Sequence, residues 1–71
     1  MIKCHLSKYM GENKLKISDL QRETGLHRNS ITLLYKETAT RIDFDTMNAL
    51  CRYFECDVGD LFEYSSDEKV Q

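Results

Sequence analysis

Three polar residues, Arg28, Asn29 and Thr32, carry side chains that can recognise the edges of nucleic-acid bases. Arginine can donate two hydrogen bonds to guanine and asparagine can pair with adenine, while threonine or the neighbouring Leu33 can contact the methyl group of thymine. In a helix, residues at these spacings share one side. The pattern indicates a helix whose outward face could read base edges in the major groove.

Basic residues flank this segment, among them Lys36 and Arg41. Lysine and arginine suit phosphates, and phosphate contacts fix the register of a protein on a duplex without reading its sequence. The alternative is a helix face that is merely solvated. The residue types alone do not decide between these two interpretations.

The net charge of −2 conceals an asymmetry along the chain. Residues 1–41 hold eight lysines and arginines against four acidic residues, a charge of +4. Residues 42–71 hold two against eight, a charge of −6. Such a division can orient a protein toward a polyanion with its acidic half turned away, although charges also scatter over any protein surface.

A helix and a glycine turn are predicted just before the candidate base-reading residues. The helix opens at Ile17 or Ser18, and Ser18 can serve as the N-cap or as a first-turn residue. It runs to Thr24 and ends at Gly25, because glycine readily adopts the left-handed conformation that closes helices.

The next helix begins near His27 or Arg28. Its predicted buried face consists of Ile31, Leu34 and Tyr35. Apolar residues on both sides of the turn should lock the two helices together at a steep angle; they are Ile17, Leu20, Leu26, Ile31 and Leu34. This is the spacing of a helix-turn-helix, whose second helix enters the major groove.

Three further helices are predicted, so that the fold class is all-α. Helix one runs from about Lys3 to Asn13, with a buried face formed by Ile2, Leu6, Tyr9 and Met10. The polar residues 37–42 form a loop, and Asp43 is the candidate N-cap of helix four. The buried face of helix four consists of Met47, Leu50, Cys51 and Phe54.

A short fifth helix is predicted from Val58 to about Tyr64. Asp57 precedes Asp60 by three residues, which is close to a capping box. The residues that this helix should bury are Leu61 and Phe62. The polar residues 65–71 then form a frayed tail, and residues 1–64 form a single domain.

Two stretches of the chain resemble a known family. They are residues 17–31, ISDLQRETGLHRNSI, and residues 50–64, LCRYFECDVGDLFEY. Both are similar to Cro/cI-type, or XRE family, helix-turn-helix proteins, and the likeness extends from about Ile2 to Tyr64. It implies a five-helix, lambda-repressor-like DNA-binding domain with the helix-turn-helix in helices two and three, acting as a transcriptional regulator that binds operator DNA.

The resemblance also implies phosphate contacts from the start of helix two and from the loop after helix three. With the flanking basic residues, the phosphate candidates are Ser18, His27, Lys36, Thr38 and Arg41. Two residues depart from the family pattern. Gln21 stands where alanine is usual, and His27 stands where serine or threonine often caps helix three; either change could alter docking on DNA.

Other kinds of site have less support in the sequence. Cysteines and a histidine at Cys4, His5, Cys51 and Cys56 lack the close pairing of structural zinc sites, so buried free thiols are expected and no metal or cofactor. Oxidation sensing would need an exposed cysteine of low pKa. The histidines have no partner at a catalytic spacing, which predicts a protein without enzyme activity. No apolar run could span a bilayer and no signal peptide is evident, which predicts a cytoplasmic protein.

The sequence therefore predicts a transcriptional regulator, taken to be a repressor although the sequence does not separate repression from activation, that binds double-stranded DNA as a homodimer and shows no evident small-molecule ligand. The dimer contact is expected from Phe62 and Tyr64, with Tyr53 nearby; the alternative is that these aromatic residues only close the core of a monomer. The acidic residues around them would repel each other, so the dimer could form mainly on DNA. The competing interpretation, favoured by a pI of about 5.6, is a protein-interaction module of the same fold that has lost DNA binding.

Overall fold

A computed structural model describes residues 1–66 as five helices and a two-stranded antiparallel sheet. The elements in chain order are β1 (Ile2–Cys4), α1 (Leu6–Glu12), α2 (Ile17–Thr24), α3 (Arg28–Tyr35), α4 (Phe44–Phe54), α5 (Val58–Leu61) and β2 (Phe62–Tyr64). The five predicted helices are therefore present, and most of the described chain is helical. Residues 67–71, the larger part of the predicted tail, lie outside the described residues.

The turn between α2 and α3 is fixed by Gly25 and by one threonine. Gly25 is left-handed, with φ of 78°, and its N–H donates to the Gln21 carbonyl at 2.8 Å. The Thr24 hydroxyl donates to the Leu20 carbonyl at 2.7 Å and accepts the Leu26 N–H at 3.2 Å. Thr24 thus ties the last turn of α2 to the residue that follows the glycine. Both sides of the turn are held, which sets the direction in which α3 leaves.

The second half of the described chain is organised by capping aspartates, as the sequence predicts. Asp43 is the N-cap of α4, and its Oδ1 accepts the Thr46 hydroxyl at 2.6 Å. α4 ends at Glu55, which is left-handed with φ of 53°. The Asp57 N–H then donates to Asp60 Oδ2 at 3.1 Å, which closes a capping box at the start of α5.

Side chains from β1 and all five helices meet in one core. Its buried apolar members are Cys4, Leu6, Met10, Leu20, Ile31, Leu34, Leu50 and Leu61. Leu20 and Ile31 come from opposite sides of the Gly25 turn, so the core itself holds α2 against α3. Leu26, predicted as buried, is half-buried and packs against this cluster.

The N-terminal end departs from the all-α prediction. A helix from about Lys3 was expected, but Ile2–Cys4 forms β1 and α1 begins at Leu6. Ile2 is 62% exposed and does not belong to a buried helix face. The Cys4 N–H donates to Glu37 Oε1 at 3.2 Å, so β1 is also joined to the loop after α3.

The C-terminal end departs in the same way, because the two ends pair with each other. α5 is a single turn that ends at Leu61, and Phe62–Tyr64 continues as β2 instead of as helix. Lys3 lies opposite Glu63 in this pairing, and His5 Nε2 is 2.8 Å from Glu63 Oε1. Opposite charges facing each other across two strands favour this pairing over a longer helix.

Candidate nucleic-acid interface

The third helix, α3, separates an apolar face from a polar one. Ile31 and Leu34 are buried, whereas Arg28, Asn29 and Lys36 are exposed. Arg28 and Lys36 are eight residues apart, slightly more than two turns of helix, and they lie at the two ends of the exposed side of α3. The exposed side of α3 is therefore polar and basic, and a groove of duplex DNA could reach it without disturbing the core.

The predicted base-reading residues occupy this exposed side to different degrees. Within residues 1–66, the side chains of Arg28 and Asn29 have no hydrogen-bond or ion-pair partner. Thr32 is half-buried, and its hydroxyl donates to the Arg28 carbonyl at 2.8 Å. Leu33 is 37% exposed. Arg28 and Asn29 keep all their donors for a ligand, whereas Thr32 offers an oxygen lone pair and its methyl group.

The predicted phosphate-contacting residues are all exposed and lie at helix ends and in one loop. Ser18 is in the first turn of α2, where Lys16 and not Ser18 is the N-cap. His27 is the N-cap of α3 but makes no side-chain cap hydrogen bond. Lys36 is the C-cap of α3, and the following loop carries Thr38 and Arg41.

The loop after α3 is attached to that helix by Thr38. Its backbone N–H donates to the Leu33 carbonyl at 2.9 Å, and its hydroxyl lies 3.5 Å from the same oxygen. Glu37 is left-handed, with φ of 58°, which turns the chain sharply at this point. Thr38 is consequently held at the end of α3, whereas Arg41 lies farther along the loop.

Tyr35 is a surface residue that the sequence interpretation assigned to the core. It is 43% exposed, so the prediction of a buried face that includes Tyr35 is wrong. Its position seven residues after Arg28 places both on the same flank of α3. This spacing could have indicated the exposure of Tyr35, because it places Tyr35 at the margin of the apolar face of α3. A residue at such a margin is buried only if another element covers it.

The amino-terminal end of α2 carries an acid–base pair. Asp19 Oδ2 accepts the Lys16 N–H at 3.0 Å, and Arg22 Nη2 donates to Asp19 Oδ1 at 3.1 Å. The Lys16 N–H and then the Arg22 guanidinium lower the pKa of Asp19. Arg22 is thus partly neutralised, whereas Arg28 on α3 is not. Gln21, which departs from the family pattern, is half-buried in the same helix.

Comparison with known protein families matches residues 5–67 to the model of the Cro/C1-type helix-turn-helix DNA-binding domain. The chain belongs to this family. Members of the Cro/C1-type family bind DNA, and the matched range covers α1 to α5 and β2 but begins after β1. The first strand of the sheet is therefore the described element that the family model does not include.

One curated relative of this Cro/C1-type domain is the uncharacterized HTH-type transcriptional regulator YozG of Bacillus subtilis (strain 168). The two are 30% identical over 59 residues, which cover 83% of this chain and 70% of YozG. No solved structure matches the chain.

The cysteines and histidines of this Cro/C1-type domain do not gather into a metal-binding group within residues 1–66. Cys4 is buried in the core, and burial raises its pKa. His5 faces Glu63, as described above. In the same part of the chain, no helix is long and apolar enough to cross a membrane.

Proposed function

We propose that this chain is a sequence-specific transcriptional regulator, a repressor, that binds operator DNA by inserting α3 into the major groove. The observation that carries the proposal is the exposed side of α3 in a member of a DNA-binding family, where the side chains of Arg28 and Asn29 have no partner among residues 1–66. In this proposal α2, the Gly25 turn and α3 form the helix-turn-helix. A repressor needs only to occupy its operator, and the protein would do so in the cytoplasm.

Arg28, Asn29, Thr32 and Leu33 are the proposed base readers. Arg28 donates two hydrogen bonds to guanine O6 and N7, and Asn29 pairs with adenine N6 and N7. Because the Thr32 proton is already donated to the Arg28 carbonyl, Thr32 acts through its methyl group or as an acceptor. Leu33 contacts a thymine methyl at the margin of the groove.

The proposed phosphate contacts come from the elements that surround α3. Ser18 and His27 approach the backbone from the starts of α2 and α3, and Lys36, Thr38 and Arg41 approach it from the end of α3 and its loop. These contacts fix the position of α3 but carry no sequence information. They also release counterions, which makes the affinity dependent on salt.

A homodimer is proposed because one helix with four base-contacting residues can specify only a short DNA sequence. A two-fold dimer doubles the number of base pairs that are recognised and binds half-sites about 34–36 Å apart, one turn of duplex. Tyr64 is 70% exposed at the open end of the sheet, directly opposite the exposed Ile2. We place the contact at this end of the sheet, because the exposed pair offers apolar surface that a second copy would cover.

Tyr53 takes no part in this proposed contact. It lies on α4 with its ring edge-on to Phe54 at 5.0 Å, and it borders a groove with Glu23 and Thr24 of α2. Asp57, Asp60 and Glu63, which are close in sequence to Phe62 and Tyr64, are exposed. Their mutual repulsion favours a dimer that forms mainly on DNA.

The second candidate function is a protein-interaction module that keeps the fold without binding DNA. It is favoured by exposed acidic residues at the ends of α4 and in α5 and β2, which would suit a basic protein partner; they are Asp43, Asp45, Glu55, Asp57, Asp60 and Glu63. This candidate would bind its partner through the second half of the chain, whereas DNA would be bound through α3 in the first half. Substitutions on α3 should leave protein binding intact if this second candidate is correct.

The deciding experiment is selection of bound sequences from a random duplex pool. The proposal expects an enriched site with two related half-sites one helical turn apart. Binding to the selected duplex is then measured against salt, with an expected log–log slope of about −0.9 for each phosphate contact. No enrichment, together with an affinity that stays flat as salt rises, rejects DNA reading.

A further inference from the structure

The carboxyl end of α4 brings two cysteines together. After the left-handed Glu55, the N–H of Cys56 donates to the Cys51 carbonyl at 3.0 Å. A hydrogen bond across six residues in this way is the mark of a Schellman motif, in which the first and last side chains commonly touch. That pair is usually apolar, and in this chain both members are thiols.

The backbone geometry at this helix end suits a disulfide. Since the two residues share a 3.0 Å N···O hydrogen bond, standard bond lengths limit their Cα separation to roughly 7 Å. Disulfides usually join Cα atoms about 4.4–6.8 Å apart. The two thiols are close enough to influence each other, since burial and then the neighbouring Cys56 raise the pKa of Cys51. The backbone therefore brings the two residues close to the separation that a disulfide can span.

The two cysteines are partly exposed, whereas the third is buried. Cys51 and Cys56 are half-buried, whereas Cys4, the last residue of β1, is buried in the core. Burial and then the neighbouring Cys56 raise the pKa of the Tyr9 hydroxyl, and the Tyr9 ring packs on Phe54 with centroids 5.3 Å apart. The pair therefore sits in a partly open cluster at the junction of α1, α4 and α5.

We propose that Cys51 and Cys56 form a dithiol site that small-molecule disulfides convert reversibly into an intramolecular disulfide. The Cys56 thiolate attacks one sulfur of the small disulfide, whose S–S bond breaks and releases one thiolate. Cys51 then loses its proton to solvent and attacks the Cys56 sulfur, and the second thiolate leaves. The protein loses two electrons and two protons, and the small disulfide is reduced to two thiols.

The order of attack follows from the surroundings of Cys51. Burial raises the pKa of Cys51, and the neighbouring Cys56 adds to this effect. A thiol of raised pKa is a slow first nucleophile, because little of it is thiolate at neutral pH. Cys51 is consequently the resolving residue, which attacks once the mixed disulfide has been delivered beside it.

The bond would close the turn at Glu55 covalently and hold the start of α5 against the end of α4. A cross-link that is compatible with the native geometry stabilises the fold, chiefly by restricting the unfolded chain. None of the residues proposed for DNA contact belongs to this site. The inference is thus independent of the proposed function, and oxidation should leave the DNA affinity of the folded protein unchanged.

The test is a titration of the native protein with oxidised glutathione. Free thiols are counted, linked peptides are mapped by mass spectrometry, and the melting temperature is recorded. The expected result is a fall from three free thiols to one, a single Cys51–Cys56 link, a higher melting temperature, and full reversal by reduced glutathione.

Matched variants separate this bond from nonspecific oxidation. Cys51→Ala and Cys56→Ala each leave one member of the pair; Cys51→Ala should stop at the mixed disulfide with glutathione, and neither variant should gain thermal stability on oxidation. Peptide mapping of the unaltered protein gives the same answer if a variant folds poorly. Three thiols that persist at high oxidised glutathione, a link through Cys4, or a link between chains would each overturn the proposal.

Discussion

The end of α2 and the end of α4 use the same left-handed backbone but different residues. Four left-handed residues lie at or just beyond helix ends within residues 1–66, namely Lys14, Gly25, Glu37 and Glu55, and of these only Gly25 is glycine. A left-handed glycine is nearly free of steric cost, whereas a residue with a side chain loses about 1–2 kcal/mol there. The unstrained turn is the one that presents α3.

The two turns also lead into different structures. The Gly25 turn opens into eight residues of helix, whose exposed side carries the polar residues Arg28 and Asn29. The Glu55 turn opens into the single turn of α5, whose Leu61 enters the core, and then into β2. The Gly25 turn therefore sets the orientation of the exposed helix α3, a role called presentation below. The Glu55 turn brings α5 and Leu61 onto the core, a role called closure below. Each of the following substitutions tests this division.

The largest expected effect is on closure, in the variant Leu61→Ala. Leu61 is fully buried, and removing a buried leucine side chain costs about 2–5 kcal/mol. That is a large share of the roughly 5–15 kcal/mol that holds a small domain together. Thermal or urea unfolding should show a strongly lowered midpoint or an unfolded protein.

Leu20→Ala is the matched variant at the other turn, because Leu20 is buried to the same extent in α2. A single core predicts a comparable loss and one cooperative transition in both variants. Leu33→Ala, at an exposed position of α3, should change the midpoint little. If Leu61→Ala melts like the unaltered protein, α5 lies outside the cooperative core, and the conclusion that the Glu55 turn closes the core is wrong.

The next effect is on presentation. Arg28→Ala should cost about 1–3 kcal/mol of binding on the preferred duplex and relax the choice at one base position. Lys36→Ala, two turns farther along α3, should weaken all duplexes alike and lower the salt slope by about one. Binding to specific and random duplexes, measured by titration at several salt concentrations, separates the two. Equal losses on both duplexes for Arg28→Ala would remove Arg28 from the base readers.

The contrast between the two regions also explains what the sequence could predict. Gly25, Asp43 and Asp57 are local signals that agree with the helical spacing around them, and the helices that they border are present. The amphipathic spacing of α3 likewise anticipated that Arg28 and Asn29 would be exposed. These features depend on residues fewer than eight positions apart, which a pattern can resolve.

The sheet could not be predicted from such patterns. Its strands are three residues long, and its pairs join Ile2 to Tyr64 and Cys4 to Phe62 across almost the whole described chain. The alternation in Phe62-Glu63-Tyr64 was the only local sign, and helical spacing from Leu61 competed with it. The exposure of Tyr35 was missed for a related reason, because burial at the margin of a helix depends on which distant element covers it.

A smaller effect concerns the backbone of the turns themselves. Glu55→Gly should stabilise the protein by about 0.5–1 kcal/mol because it relieves the left-handed strain, less the added freedom of the unfolded chain. Gly25→Ala should destabilise it by a similar amount. No atom lies within 4 Å of the Cβ that alanine would add at Gly25, so the loss would come from backbone conformation alone.

Gly59→Ala is the matched control, because it makes the same chemical change in the interior of α5, where φ is not positive. It should be neutral or stabilising, since alanine favours a helix more than glycine does. Melting temperatures of the three variants would therefore rank Gly25→Ala below the unaltered protein and the other two at or above it. A rise for Gly25→Ala would show that the turn is not held left-handed in solution.

The smallest effect compares how α2 and α4 begin. Asp19 accepts the Lys16 N–H and pairs with Arg22, and Asp43 accepts the Thr46 hydroxyl; these contacts lower the pKa of both carboxyls. A pKa that is lower in the folded state gives stability that is complete above the unfolded pKa of about 3.9. That stability is lost as the pH falls through the folded pKa. The melting temperature should therefore decline below about pH 5.

Asp19→Asn and Asp43→Asn should each flatten this decline, because each removes one of the shifted groups. Asp45→Asn provides the control, since Asp45 also lies in the first turn of α4 but forms no ion pair within residues 1–66. Both shifted carboxyls are near the surface, so solvent screening keeps each contribution small. Equal flattening by the two variants would mean that both helices depend on their first turns to the same degree. The different roles of α2 and α4 would then depend only on the turns at their carboxyl ends, at Gly25 and Glu55.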